Sequence, residues 1–278
     1  MERLRISAIS YLNTAPLMWD FEHGMAGGKF DIHYTLPSQC AAELKAGTAD
    51  IGIIPAAAYT TIPDLAILPG VAIAAVRAVR SILLVSKVPL EQIRTVALDT
   101  SSMTSVALTK VLFAKWWGGG REFTPMNPEL DEMLAQHDAG LVIGDPALRI
   151  DRTQYRTIDL AEEWIQLTGK PFVFAFWAVR QACLSGASSW QELAEMFQSS
   201  RDHGLQPKAL DRIAKEWSPR LGLTETDVLQ YLTRHIHYEL DPACLEGLTL
   251  FLRHAAECRA LPQAPELTFA GAPRVAAL

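Results

Sequence analysis

Ile9-Ser10-Tyr11-Leu12-Asn13-Thr14-Ala15-Pro16-Leu17 joins a strand-like apolar run to a polar cluster, then to a proline and a second apolar stretch. Residues 4–10 read as a short β-strand, so Ser10, Asn13 and Thr14 fall where a first strand ends and a first helix begins. In open α/β sheets that edge is where ligands bind. Pro16 suits the first turn of a helix, and Asn13 or Thr14 suits its cap.

The alternation of strand and helix continues downstream. Phe30, Ile32, Tyr34 and Leu36 share one face of a period-two segment. Ser38 then reads as the N-cap of a helix over 39–46, ended by Gly47. The run 50–55 is a buried strand cut off by Pro55, and 66–68 a further short strand. The β-rich run 79–87 is expected to cross into a second lobe. There the pattern repeats. Residues 95–98 form a strand, 99–105 a hydroxyl-rich turn, and a helix runs to about 117 before Gly118-Gly119-Gly120. A strand near Phe123, a helix over 128–136, a strand over 140–143 and the turn Gly144-Asp145-Pro146 follow, with Asp145 as N-cap. The apolar 171–179 reads as a buried strand returning to the first lobe, with Trp177 in the core. Helices are expected over 190–199, 207–217, 224–238 and 242–259, capped by Ser188 or Ser189, by Thr224 and by Asp241-Pro242, with a loose tail after Pro262.

The resulting fold class is α/β, a two-lobed type II periplasmic-binding-protein-like fold with a ligand cleft between the lobes. Residues 1–87 and 179–278 make lobe I and 88–178 lobe II. With 49% hydrophobic and 20% charged residues, the 278-residue chain has enough apolar surface for such a core. The net charge of −6 and the lack of a basic stripe argue against nucleic acid. No apolar stretch approaches the roughly 18 residues of a membrane span. The start MERLRISAIS is not a signal peptide, so a cytoplasmic protein is expected. The four cysteines are widely spaced and read as reduced structural residues. His235 and His237 do not share a helix face, and HExxH is absent, so no metal or other cofactor is expected.

Four loops converge on the cleft: Ser10 to Thr14, the start of the helix at Ser38, the turn at Ile54 and Pro55, and the turn carrying Ser102, Met103, Thr104 and Ser105. Ser81 lies at the floor and Asp145 at the far side. No nucleophile triad, carboxylate pair or P-loop is visible. Hydroxyls, one amide and helix-start N–H groups suit a small carboxylate, since a helix N-terminus carries roughly half a positive charge and unpaired donors.

The segment 10–17 resembles the opening of the MqnA-type chorismate dehydratases of the futalosine route to menaquinone. Supporting resemblances, spanning about residues 6–178, are PSQCA at 37–41, GTADIGIIP at 47–55, VRSILLVS at 79–86, SSMTSVAL at 101–108, IGDPAL at 143–148 and TGKPFVFAFWA at 168–178. The resemblance implies dehydration of chorismate to 3-[(1-carboxyvinyl)oxy]benzoate. The ring loses its C3 hydrogen and C4 hydroxyl, and the enolpyruvyl carboxylate takes the proton. It further implies that Asn13 holds the leaving hydroxyl or the enolpyruvyl carboxylate. Ser81 would bind a carboxylate, and Ser38 and Ser102 to Ser105 would hold carboxylates from the two lobes. Ser10, Tyr11, Thr14, Ile54, Pro55 and Asp145 complete the expected binding set, in a monomer or homodimer without nucleic-acid or membrane partners. Lobe closure should accompany binding. Two other readings are 1,4-dihydroxy-6-naphthoate synthase of the same route, whose opening is not YLNT-like, and a solute-binding protein for a small carboxylate. The same fold serves both.

Overall fold

The structure, a computed structural model, describes residues 3–24, 26, 28–184 and 190–271. Its strands, in chain order, are β1 (Leu4–Ile9), β2 (Phe30–Thr35), β3 (Ile51–Pro55), β4 (Leu65–Ala75), β5 (Ile82–Ser86), β6 (Thr95–Asp99), β7 (Glu122–Met126), β8 (Ala139–Ile143), β9 (Arg156–Asp159) and β10 (Phe172–Arg180). Its α-helices are α1 (Trp19–His23), α2 (Pro37–Ala46), α3 (Thr104–Lys115), α4 (Leu130–Gln136), α5 (Gly144–Leu148), α6 (Leu160–Thr168), α7 (Trp190–Gly204), α8 (Pro207–Leu221), α9 (Glu225–Gln230) and α10 (Pro242–Glu257).

The strands form two five-stranded sheets, ordered β2-β1-β3-β10-β4 and β7-β6-β8-β5-β9. In each sheet three strands run parallel, and a fourth, antiparallel strand joins them to the fifth. That fourth strand is the one the chain uses to cross over. β5 leaves the first lobe to enter the second sheet, and β10 returns to the first. The change of lobe therefore precedes both expected boundaries. All of β5 lies in the second sheet, ahead of 87, and β10 joins the first sheet at Phe172, ahead of 178. Both runs were read as the crossings; continuous burial hid only which lobe each strand joins, because a strand buried on both faces reads alike on either side of a boundary. The fold is the expected two-lobed α/β class.

Several local expectations change. Residues Leu12–Met18 form a 3₁₀ helix with Pro16 inside it and Tyr11 at its N-cap position, so neither Asn13 nor Thr14 caps. Helix α2 begins at Pro37 with Leu36 before it, so Ser38 is inside the first turn. Asp145 likewise lies inside α5, after Ile143. Pro37 sets φ for the first helical turn, which makes a side-chain cap unnecessary. The short strand at 66–68 is the first part of the eleven-residue β4. The helix expected over 224–238 ends as α9 and continues as a π-turn, Tyr231–His235. β9 and α6, which no expectation covered, are held by Asp159 as a side-chain cap. Thr224 forms a capping box with Asp227, and Asp241 caps α10, as expected. Ser188 and Ser189 lie outside the described residues. The tail is anchored as far as Ala270, whose N–H donates to Ile67 O at 2.9 Å.

The late helices cover the first sheet, α7 against β4 and α10 against β10. Gly204 is needed where α7 crosses the 3₁₀ segment, because a Cβ there would sit 2.0 Å from Pro16 O. Trp177 is fully buried against Phe197, with ring centres 4.6 Å apart, and belongs to the core.

Candidate active site

The sheets' parallel strands end toward each other, and the loops after β1, β3, β6 and β8 bound a cleft. Its empty space, counted together with the open solvent at its mouth, is about 450 Å³. Of the expected residues, Tyr11, Asn13, Pro55, Ser102, Met103, Thr104 and Ser105 line it. The rest of the lining is mainly apolar, with Ile9, Ile73, Ile82, Ile143 and Phe174 contributing. These were missed because an isoleucine in a buried strand carries no sign of which space it faces.

The remaining expected residues sit elsewhere. Ser10 and Thr14 face a second depression behind the 3₁₀ segment, walled by Trp19, Tyr34 and Trp217. Ser10 also donates through Oγ to Thr35 O at 3.2 Å. Ile54 is buried within β3 and does not reach the cleft. Ser38 and Asp145 bridge the lobes, as Thr104 does from within the cleft lining. The Ser38 N–H donates to Ser101 O at 3.1 Å, and the Leu12 N–H to Asp145 Oδ1 at 3.0 Å. Thr104 Oγ1 accepts from Ala57 N at 3.1 Å and donates to Phe174 O at 3.0 Å. Several donors expected to await an anion are thus satisfied across the closed cleft. The Ser105 N–H is taken locally by Ser102 Oγ at 3.3 Å.

Ser81, 1% exposed, lies one layer behind the cleft wall. Its Oγ accepts the Tyr231 hydroxyl at 2.8 Å. Burial raises the pKa of that phenol, and the Ser81 and Asn13 side chains act to lower it; Asn13 Oδ1 accepts from Thr14 Oγ1 at 3.4 Å. Tyr231 is fully buried and links the two residues on which the sequence reading concentrated. It was missed because 150 residues separate it from Ser81 and only the π-turn aims its ring inward. Such turns often mark functional positions.

Two acids and a phenol shape the electrostatics. Burial pushes Asp145 up to about 6, against the Leu12 amide and Arg149. Burial also raises Asp99, opposed by Ser101 and the Ile143 amide. Tyr11 is pushed up to about 12 by burial, opposed by Ser101 and reinforced by Asp99 and Asp145. It stays a neutral donor at physiological pH. The Tyr11 ring lies on Gly144, where a Cβ would come within 2.5 Å of it and where φ is +65°. That glycine is therefore obligatory on two counts.

One group of metal-ligating side chains occurs among the described residues: His237, Asp241 and Cys244, with ligand atoms within 4.8 Å. Both Asp241 oxygens are engaged, Oδ1 by the Cys244 N–H at 2.8 Å and Oδ2 by His237 Nε2 at 2.9 Å. The group reads as a helix cap. No described helix is long and apolar enough to cross a membrane.

A family model described as menaquinone biosynthesis matches residues 4–257. A chorismate dehydratase of Thermus thermophilus is 30% identical over 273 residues, covering 92% of this chain and 94% of the relative. A chorismate dehydratase of Campylobacter jejuni is 27% identical over 168 residues, 59% of each chain. Among solved structures, the periplasmic aliphatic sulphonate binding protein SsuA of Escherichia coli superposes with TM-score 0.66 at 17% identity, covering 95% of both chains. A Candida albicans protein described as having the generic periplasmic binding protein fold superposes with TM-score 0.63 at 12% identity, covering 99% of both. The solved structures establish the fold, and the family model and the Thermus relative establish descent: the chain belongs to the menaquinone biosynthesis family.

Proposed function

We propose that the chain is a chorismate dehydratase, a hydro-lyase that converts chorismate to 3-[(1-carboxyvinyl)oxy]benzoate. The observation that carries this reading is the end-to-end likeness to the Thermus enzyme, 92% of one chain against 94% of the other. The cleft supports it. Its lining combines apolar side chains, suited to a ring that becomes aromatic, with Asn13, Tyr11, Ser102 and Ser105. Asp99 and Asp145 are buried, each with its Oδ1 on a backbone N–H, and among the described residues no carboxylate lines the cleft. That fits proton removal from C3 by the substrate's own enolpyruvyl carboxylate. The protein supplies position and exclusion of water.

Asn13 is the residue that touches the reacting groups, through the leaving hydroxyl or the enolpyruvyl carboxylate. Ser81 acts from behind, through Tyr231, to hold the Asn13 amide. The four cysteines are all free, as in a reducing cytoplasm. No cofactor is required for an elimination that ends in an aromatic ring.

The test is chorismate and purified protein alone, followed by chromatography. The expected result is a new aromatic acid, lost about 100-fold or more in Asn13→Ala at unchanged melting temperature, the scale of a removed transition-state hydrogen bond. Thermal stabilisation by a carboxylate without turnover would instead mark a binding protein.

A further inference from the structure

Strand β10 breaks its own alternation where it passes the cleft. Val173 pairs with Ala74 and Ala175 with Ile73, so β10 advances two residues where β4 advances one. Phe174 is the extra residue of that bulge. It has no partner on β4, and on the other side β3 ends at Pro55, opposite Ala175. Successive residues of a regular strand point to opposite faces. Here the neighbours Phe174 and Ala175 both line the cleft. Bulges are frequent beside active sites, where they re-aim a side chain.

With no strand partner, the Phe174 carbonyl is engaged from the second lobe. Thr104 Oγ1 donates to it at 3.0 Å and accepts from Ala57 N at 3.1 Å. The Phe174 ring lies against that of Phe172, with ring centres 4.7 Å apart. Phe172 is itself fully buried against Trp164 and Phe251. The backbone of Phe174 is thus held from the second lobe and its ring from the core, which leaves the residue 7% exposed. Among the described residues the cleft lining holds two aromatic side chains, and the other, Tyr11, has its ring on Gly144.

We infer that Phe174 is a specificity-determining residue whose ring receives the ring of the ligand and sets the preference of the cleft for the aromatic form. This rests on the dehydratase reading. Chorismate arrives with two saturated ring carbons, C3 and C4, and a puckered ring. The product ring is flat and aromatic. Aromatic pairs gain from offset-stacked or edge-to-face contact beyond the area they bury. Contact with Phe174 therefore improves as the C3–H and C4–O bonds break, and the product binds more tightly than the substrate. A leucine or isoleucine in its place would fill the same space and treat the two rings alike.

The experiment compares the unaltered protein with Phe174→Leu, which keeps apolar bulk and removes the π-face. It reads KM for chorismate, the inhibition constant of 3-[(1-carboxyvinyl)oxy]benzoate and the melting temperature. The inhibition constant should rise about tenfold, the order of one lost aromatic contact, with KM within about threefold. A loss of packing alone would lower the melting temperature and weaken both ligands by the same factor, and that pattern overturns the inference. A second measurement needs no substitution. In protein protonated only at phenylalanine, the ring protons of bound product should show nuclear Overhauser contacts to phenylalanine ring protons, because Phe174 is the phenylalanine of the described lining. Absence of those contacts overturns the inference, even if Phe174→Leu fails to fold. Failure of the unaltered protein to form any aromatic acid from chorismate would overturn the dehydratase reading and this role together. Unchanged product inhibition in an active Phe174→Leu would overturn this role only.

Discussion

Asp145 sits at the start of α5, 8% exposed, with Oδ1 on the Leu12 N–H. Its folded pKa of about 6 lies above the ordinary 3.8. A carboxyl that binds its proton more tightly when folded makes stability fall as pH rises through that window, and the fall is complete above 6. The shift corresponds to about 3 kcal/mol at most. Asp145→Asn keeps an acceptor for Leu12 and removes the titration. Melting temperatures from pH 4 to 7 should therefore drop less in the variant than in the unaltered protein, and the variant should be the more stable of the two at pH 7. Equal slopes would show that Asp145 is ionised throughout. The sequence marked this position as functional but read it as a helix cap. The partner that defines it, Leu12, is 133 residues away.

The helix α6 and the crossing before β5 hang on one side chain. Asp159 accepts from Ala161 N and Glu162 N, both at 3.2 Å, and also from Val79 N at 3.2 Å and Arg80 N at 2.7 Å. Arg80 is held at φ +66°, a strained conformation for a side-chain-bearing residue that these bonds over-determine. Asp159→Ala would strand four buried or half-buried donors. It should cost about 2–4 kcal/mol, more than the roughly 1 kcal/mol of an ordinary cap, and urea unfolding would measure it. A loss near 1 kcal/mol would mean that the crossing finds other partners. Elements with local signals were legible: the Thr224 capping box, the Asp241-Pro242 start and the glycine stop after α3 lie where residue order puts them. β9 and α6 were not, because their start signal is a lone aspartate whose second role lies at the crossing before β5, 80 residues earlier.

The two lobes share one core. A cluster of Trp164, Phe172 and Phe251, with ring centres 4.9–6.1 Å apart, packs where α6 hands over to β10 under α10. At the mouth the lobes are joined by the Ser38–Ser101, Ala57–Thr104 and Leu12–Asp145 hydrogen bonds. Admission of a ligand then requires those bonds to break and re-form around it. Small-angle scattering should give a larger radius of gyration for the ligand-free protein than for the protein with product. Thr104→Val, which deletes the double bridge at constant shape, should raise KM about tenfold, as expected for roughly 1.4 kcal/mol of lost closure energy. An unchanged radius on adding product would mean that the closed arrangement is also the resting one.

Residue order alone determined the α/β class, the two lobes, most helix ends and the loop bearing Tyr11 and Asn13. Each of these follows from contacts within a dozen residues: period-two burial, proline and glycine punctuation, and polar clusters after strands. Only the tertiary structure decided which hydroxyls face the ligand and which fasten the lobes. It alone brought Tyr231 to Ser81, and Asp145 to the Leu12 N–H. The reason is that a serine or aspartate has the same local signature whether it meets a substrate or a backbone N–H from the other lobe. What separates the two is the path of β5 and β10 between the sheets, set by burial over the whole chain.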